Sequence, residues 1–241
     1  MKEILPTGIR SWIGRNLDSF RKHARKSYSQ EGEDLILERL FEGRTNGFYV
    51  DVGAHHPTRY SNTYRFYKRG WRGINIEPNP QAMELFRRQR KRDINIPCGV
   101  AEREGQLVYF MFNEPALNSF DQTLSEQRQG DRYRIVGRQN VPVRRLQSIL
   151  ESAVPPQTQI DFMSIDVEGY DLQVLQSNDW SRFRPACVLA ESLGFDLGNP
   201  AASTMHQFLH GNDYALFAKT FNTLFYIDRR TIPRTTCSQS A

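Results

Sequence analysis

Two hydrophobic rhythms alternate along this chain, and the alternation predicts an α/β fold. Short apolar runs rich in β-branched and aromatic residues recur at 48–51, 73–77 and 94–97. The stretches between them carry helical spacing. Residues 35–40 form one such stretch, with Ser29 as its expected N-cap and Gly43 near its end. Residues 62–68 form a second, and Pro80 opens a third, strongly charged helix to about residue 92. Strand, helix, strand, helix, strand implies a parallel sheet with right-handed crossovers.

The pattern changes after residue 105. Residues 106–112 alternate as an antiparallel or edge strand does. Residues 113–139 are polar and weakly periodic, and so long a segment reads as a substrate loop or lid. Residues 141–150 lead into a short helix. Buried strands are expected at 160–165 and 186–190, helices at 170–176 and 201–211, and a closing antiparallel pair at 214–218 and 224–227. At the front, residues 1–27 read as an amphipathic helical segment. Its basic end, Arg21 to Lys26, is expected either to pack on the domain or to dock on a membrane surface or a partner. What remains reads as one domain over residues 28–234, with a disordered tail at 235–241.

Composition narrows the class only modestly. The chain has 241 residues, a 39% hydrophobic share and a formal net charge of +5, which fits an acidic small substrate or a polyanion equally. Three cysteines, Cys98, Cys187 and Cys237, lie far apart, which argues against a disulfide scaffold or a zinc site. No apolar run reaches membrane-spanning length and no apolar signal core is visible, so a cytoplasmic protein is expected.

The chemistry gathers where strands end. Asp51, Glu77, Asp166 and Glu191 each follow an apolar run. In a doubly wound sheet such acids face one crevice, and Glu77 is placed to accept both hydroxyls of a ribose. Gly53 and Ala54 after Asp51 allow backbone N–H groups to approach a ligand closely. Any single acid of this kind often caps the following helix, and gathered acids need ligands, cations or protons. The G-x-G-x-x-G of NAD enzymes is missing, which lowers a dehydrogenase reading.

The runs YSQEGEDLIL, GFYVDVGAHHPTRYSNTYRFYKRGWRGINIEPNP, CGVAEREG and IDFMSIDVEGYDLQVL resemble the FkbM family of S-adenosylmethionine-dependent methyltransferases over roughly residues 28–228. The resemblance implies a class I methyltransferase-like (Rossmann-like) α/β fold: a seven-stranded, mostly parallel sheet with helices on both faces and the last strand antiparallel. It implies that Asp51, Gly53 and Ala54 approach the methionine part of the cofactor. Glu77, with Pro78 beside it, holds the ribose. Gly99, Val100 and Ala101 pack on the adenine, and Asp166 lies beside the transferred methyl. Asn62 falls in the same motif set, and Gln30 and Asp34 lie in a segment placed to close over the cofactor. The implied reaction is O-methylation of a sugar or glycan-type hydroxyl.

Asp166, Glu168, His55 and His56 are the candidate bases. Asp166 and Glu191, on neighbouring strand ends, are candidate ligands for Mg²⁺, against a reading in which Glu168 and Glu191 bond backbone N–H groups or arginines. His206 and His210 share a helix face but lack a third ligand. Trp71, Tyr64, Phe66 and Tyr67 read as core packing. An RNA methyltransferase and a non-catalytic cofactor-binding module are the alternatives. Arginines spread through the chain and no RNA-binding signature argue against nucleic acid.

Overall fold

The computed structural model describes residues 24–231. The expected N-terminal segment falls outside the described residues except for 24–27, which carry no regular structure, and the tail falls outside them entirely. Among the described residues no helix is long and apolar enough to cross a membrane.

The elements are α1 (Glu33–Leu40), β1 (Phe48–Val52), α2 (Tyr64–Lys68), β2 (Arg72–Ile76), α3 (Pro80–Gln89), β3 (Ile94–Ile96), β4 (Gly99–Val100), β5 (Gly105–Phe112), α4 (Gln122–Arg128), β6 (Ile135–Arg144), α5 (Leu146–Ala153), β7 (Phe162–Ile165), α6 (Asp171–Gln176), β8 (Cys187–Glu191), α7 (Thr204–Gly211), β9 (Tyr214–Lys219) and β10 (Thr223–Asp228). The main sheet has seven strands in the order β3-β2-β1-β7-β8-β10-β9. All neighbours from β3 to β8 are parallel, and β10 runs antiparallel to both β8 and β9. The expected sheet, with its closing antiparallel pair, is therefore present.

Both faces of this sheet are covered, so its strands read as unbroken apolar runs. Alternation along β1 sends Val50 and Val52 to a core shared with Ile74, Met163, Val188 and the helices α5, α6 and α7. Tyr49 points the other way, to a core with Leu37 of α1, Phe66 of α2 and Trp71. Phe66 and Trp71 are thus core residues, as their spacing predicts. Cys98 and Cys187 are buried free thiols. Asn79 caps α3 by accepting from the Gln81 and Ala82 amides, with Pro80 in its first turn.

Two expectations need correction. Helix α1 starts at Glu33 with Gly32 as N-cap and no side-chain cap. Ser29 instead donates to Asp34 Oδ1, at 3.1 Å, and accepts from the Asp34 amide. The segment 113–139 is not a featureless loop. It holds a 3₁₀ turn (Pro115–Leu117), α4 and the first half of β6. Strand β6 pairs with β5 antiparallel and β4 parallel to make a second, three-stranded sheet. The outer half of β6 is exposed on most of its length, so it lacks the apolar alternation that marks a strand.

A fully buried arginine ties the β1–β2 side together. Arg90, just past α3, bonds Asp93 at 2.8 Å, the Pro57 carbonyl at 2.9 Å, the Tyr49 hydroxyl at 2.8 Å and Thr63 Oγ1 at 2.9 Å. Asp93 also accepts from Tyr49, the Gly73 amide and Asn75. Removing one partner of a buried pair leaves the other uncompensated and costs roughly 3–5 kcal/mol. Arg90→Met is therefore expected to lower unfolding free energy by about that amount in urea titration, whereas Arg88→Met on the exposed face leaves it unchanged. A loss below about 1 kcal/mol for Arg90→Met would show that Asp93 is satisfied without it.

Candidate active site

The carboxyl ends of β1, β2 and β7 open into one cleft, walled on its far side by the segment Pro115–Phe120 and by Gln30. The cleft has a volume of about 70 Å³.

Asp51 is the fourth residue of β1, not its end; Val52 extends the pairing to both neighbours. It accepts from Thr63 Oγ1 at 2.7 Å, and Thr63 in turn accepts from Arg90. Burial pushes its carboxyl up to about 6. The chain then turns at Gly53, whose φ is +76° and whose amide donates to Ile76 O. A Cβ there would sit 1.8 Å from the Asp166 carbonyl oxygen, so β1 and β7 meet at a point only glycine allows.

Glu77 follows β2 and is 4% exposed. Its oxygens accept from the His55 amide at 2.9 Å and the Asn79 amide at 2.8 Å. The Tyr109 hydroxyl, from the second sheet, is a further hydrogen-bond partner of this carboxyl. Burial pushes its carboxyl up to about 7. Pro78, Gly99, Val100 and Asn62 line the same cleft, as expected, and Asn62 is held by its bond to Ser164 Oγ at 2.9 Å.

Three expected residues are elsewhere. Asp34 is fully buried away from the cleft, where it accepts from Ser27, the Tyr28 amide and Arg65. It anchors the strap that carries Gln30. Ala101 does not line the cleft; its amide donates to Arg144 O beside the second sheet. His56 does not line it either, because its Nδ1 accepts from the Thr58 and Arg59 amides and caps that turn. His55 does face the cleft, at a left-handed φ of 52°, its ring stacked on Tyr60. Burial, with His56 second, lowers its pKa, so its ring is neutral and able to accept a proton. His206 bonds the Tyr226 hydroxyl and stands next to His210, but neither belongs to a group of three ligands among the described residues.

Asp166, Glu168 and Glu191 form the acidic heart of the site. One carboxylate oxygen from each lies within 4.8 Å of the others. Asp166 is partly exposed as a residue, yet its Oδ1 is shut off from solvent and has no hydrogen-bond partner. Burial first, then Glu191 and Glu168, raises Asp166 well above the usual carboxylate range. Burial also pushes Glu191 up to about 8. Arg128, reaching from α4, pairs with Glu168 at 2.6 Å and only partly offsets the burial of that acid. Glu168 itself sits at a φ of 54°.

Sequence reasoning did not find Tyr109, Asn118, Phe120 and Arg128. The first three line the cleft from the second sheet and the segment after it, and Arg128 bridges that segment to Glu168. Polar weak periodicity hid all of them except Tyr109, which read only as strand alternation.

A doubly wound sheet with its antiparallel insertion and a cleft at the carboxyl edge defines a class I methyltransferase-like fold. Residues 51–216 match the family described as the Methyltransferase FkbM domain, and the chain belongs to that family. Among solved structures, it is similar to Methyltransferase FkbM from Methylobacillus flagellatus KT at 16% identity and a TM-score of 0.50, covering 90% of this chain and 60% of that one. The chain thus spans about three fifths of that protein's length. Weaker likenesses include the O-methyltransferase from Bacillus cereus in complex with SAH (10% identity, TM-score 0.41, 93% of each chain). Another is a TehB-like SAM-dependent methyltransferase from Corynebacterium glutamicum ATCC 13032 Kitasato (9% identity, TM-score 0.41, 92% of this chain and 100% of that one). No curated protein matches.

Two outcomes test this geometry. Gly53→Ala should abolish cofactor-site function and lower the melting temperature, because the added carbon meets backbone; a variant that melts and functions like the parent would refute the contact. The second concerns pH. Glu77 and Glu191 have folded values above the ordinary 4.5, so the folded protein holds extra protons. Their stabilising contribution is complete below about 4.5 and is lost as pH rises through about 7 for Glu77 and about 8 for Glu191. The melting temperature of the ligand-free protein should fall across that window, and Glu191→Gln should flatten the upper part of the fall.

Proposed function

We propose that this protein transfers a methyl group from S-adenosylmethionine to a hydroxyl of a sugar or glycan-type acceptor. The observation that carries the reading is the buried, unpartnered Asp166 Oδ1 within an acidic cluster at the end of a cleft that also exposes Glu77. The cofactor is a cation with a ribose, and the residues fit both parts. Glu77 lines the cleft as an acceptor for the ribose hydroxyls, and Gly53 lines it where the methionine part would lie. When bound, the cofactor supplies an activated methyl on a sulfonium.

The chain's own residues then have two tasks. The first is alignment of the acceptor oxygen in line with the methyl, which supplies roughly 7–11 kcal/mol. The walls at Asn62, Tyr109 and Phe120 restrict where both partners lie. The second is acceptance of the hydroxyl proton. Asp166 and Glu168 do this, with His55 as a further group lining the cleft. Positive charge beside Asp166 favours its ionised form and reverses the effect of burial. A positioned base of this kind contributes about 10²–10⁴ in rate.

Asp166, Glu168 and Glu191 would also hold a Mg²⁺ ion. They offer only oxygen donors, and Asp166 Oδ1 has no other partner. Such an ion would lower the pKa of a coordinated hydroxyl. Arg128 already serves one of the three acids, so the cluster has two ways of being neutralised.

Incubation with labelled S-adenosylmethionine and a saccharide panel should give a one-methyl mass gain on a hydroxyl. Labelling of RNA with no saccharide product would overturn the assignment in favour of a nucleic-acid substrate. Asp166→Asn should keep near-normal cofactor binding and lose turnover by about 10²-fold or more, while Glu77→Ala should lose cofactor affinity with the fold intact. Turnover that survives a chelator unchanged would remove the ion from the proposal.

A further inference from the structure

Glu77 is already too occupied to hold a ribose alone. A carboxylate offers about four acceptor positions. The His55 amide takes one on one oxygen, and the Asn79 amide takes one on the other. The Tyr109 hydroxyl, reaching in from the second sheet, is the third donor. One position is left, whereas a ribose presents two neighbouring hydroxyls, each with a proton to donate. A second acceptor is needed beside Glu77.

Tyr109 meets that need. A phenol hydroxyl has one proton and two lone pairs. The proton goes to Glu77, and one lone pair accepts from the Asn118 side chain. The direction of the Asn118 bond is set locally. Its Oδ1 already accepts from the Phe112 amide at 2.8 Å, so its amide nitrogen is the end left to donate. Nothing else among the described residues bonds the hydroxyl, which leaves its second lone pair open. Tyr109 is only 5% exposed, yet it lines the cleft together with Glu77.

The ring is also fixed in place. Tyr109 stands on β5 opposite Gln139 of β6. Its ring centroid lies 4.8 Å from that of Phe120. Phe120 in turn rests on Gly99, where a Cβ would come within 2.5 Å of the ring. The next residue, Phe110, exchanges both backbone hydrogen bonds with Ser119, at 2.9 and 3.2 Å, and Ser119 Oγ donates to the Glu168 carbonyl. An acceptor held before its ligand arrives loses little freedom on binding.

We propose that Tyr109 is a cofactor-binding residue, and that Tyr109 and Glu77 form a paired acceptor which takes one ribose hydroxyl each. The inference rests on the methyltransferase reading and deepens it. Because Tyr109 donates to Glu77, their oxygens stand one hydrogen bond apart, a spacing that suits adjacent hydroxyls on one ring. The second sheet is thereby part of the cofactor site.

Calorimetry on the full chain tests this with S-adenosylhomocysteine and its 2′-deoxy and 3′-deoxy forms, titrated into the parent, Tyr109→Phe and Glu77→Gln. On the parent, each deoxy form should bind about fivefold weaker than S-adenosylhomocysteine, because each hydroxyl has its own acceptor. Tyr109→Phe keeps the ring against Phe120 and should melt near the parent temperature. It should bind S-adenosylhomocysteine about fivefold weaker. For one deoxy form its affinity should match the parent's within about twofold, and for the other the fivefold gap should persist. Glu77→Gln should couple to the opposite hydroxyl. A Tyr109 that only steadies Glu77 would weaken all three ligands alike or couple to the same hydroxyl as Glu77, and either result overturns the proposal. So does S-adenosylhomocysteine affinity in Tyr109→Phe equal to or tighter than the parent's. The parent alone also decides, since a deoxy form that it binds as tightly as S-adenosylhomocysteine would show one hydroxyl to be unread. If S-adenosylhomocysteine gives no heat with the parent, the cofactor reading falls, and this assignment with it.

Discussion

Carboxylates crowd the carboxyl edge of the main sheet, and their mutual repulsion in a poorly solvated place is the constraint around which the molecule is built. The structure meets it differently on its two sides. On the β1–β2 side, Arg90 is wholly interior and bonds Asp93 directly, while Thr63 passes its influence to Asp51. On the β7–β8 side, three acids share a single arginine among the described residues, Arg128. The first side is a finished ion network, which rigidifies the walls of the cleft. The second is left short of positive charge. That asymmetry separates scaffold from chemistry: the compensated acids hold shape, and the uncompensated ones have electrostatic room for a cationic ligand.

The arrangement also explains why the insertion between β5 and β6 sits where it does. Ser119 Oγ donates to the Glu168 carbonyl at 2.7 Å, and Arg128 reaches the Glu168 carboxylate from the next helix. Two bonds thus fasten the second sheet's loop to Glu168, so one segment sets both a wall of the cleft and the charge beside that acid.

Much of this was legible in the chain before any coordinates. The sheet was, because buried parallel strands are unbroken apolar runs and the helices between them carry a clear period. Asp51, Gly53, Glu77, Pro78 and Asp166 were, because strand ends and turns fix where such residues must lie. What escaped did so for physical reasons. The outer half of β6 is solvated, so its alternation is not apolar. Arg90 sits in a run of charges, Arg87, Arg88, Lys91 and Arg92, that reads as a wet helix end, and only the fold reveals that its partners lie inside. Asp34 and His56 stand within the right motifs but turn toward backbone amides, a choice that short polar side chains make locally and that spacing does not encode.

His55 and Glu168 deserve a last consequence. Both are non-glycine residues in the left-handed region, and both line the cleft. Glycine would occupy either position freely, so each side chain is kept at a conformational cost of about 1 kcal/mol. Stability surrendered at those two points keeps a ring and a carboxyl in the lining of the cleft.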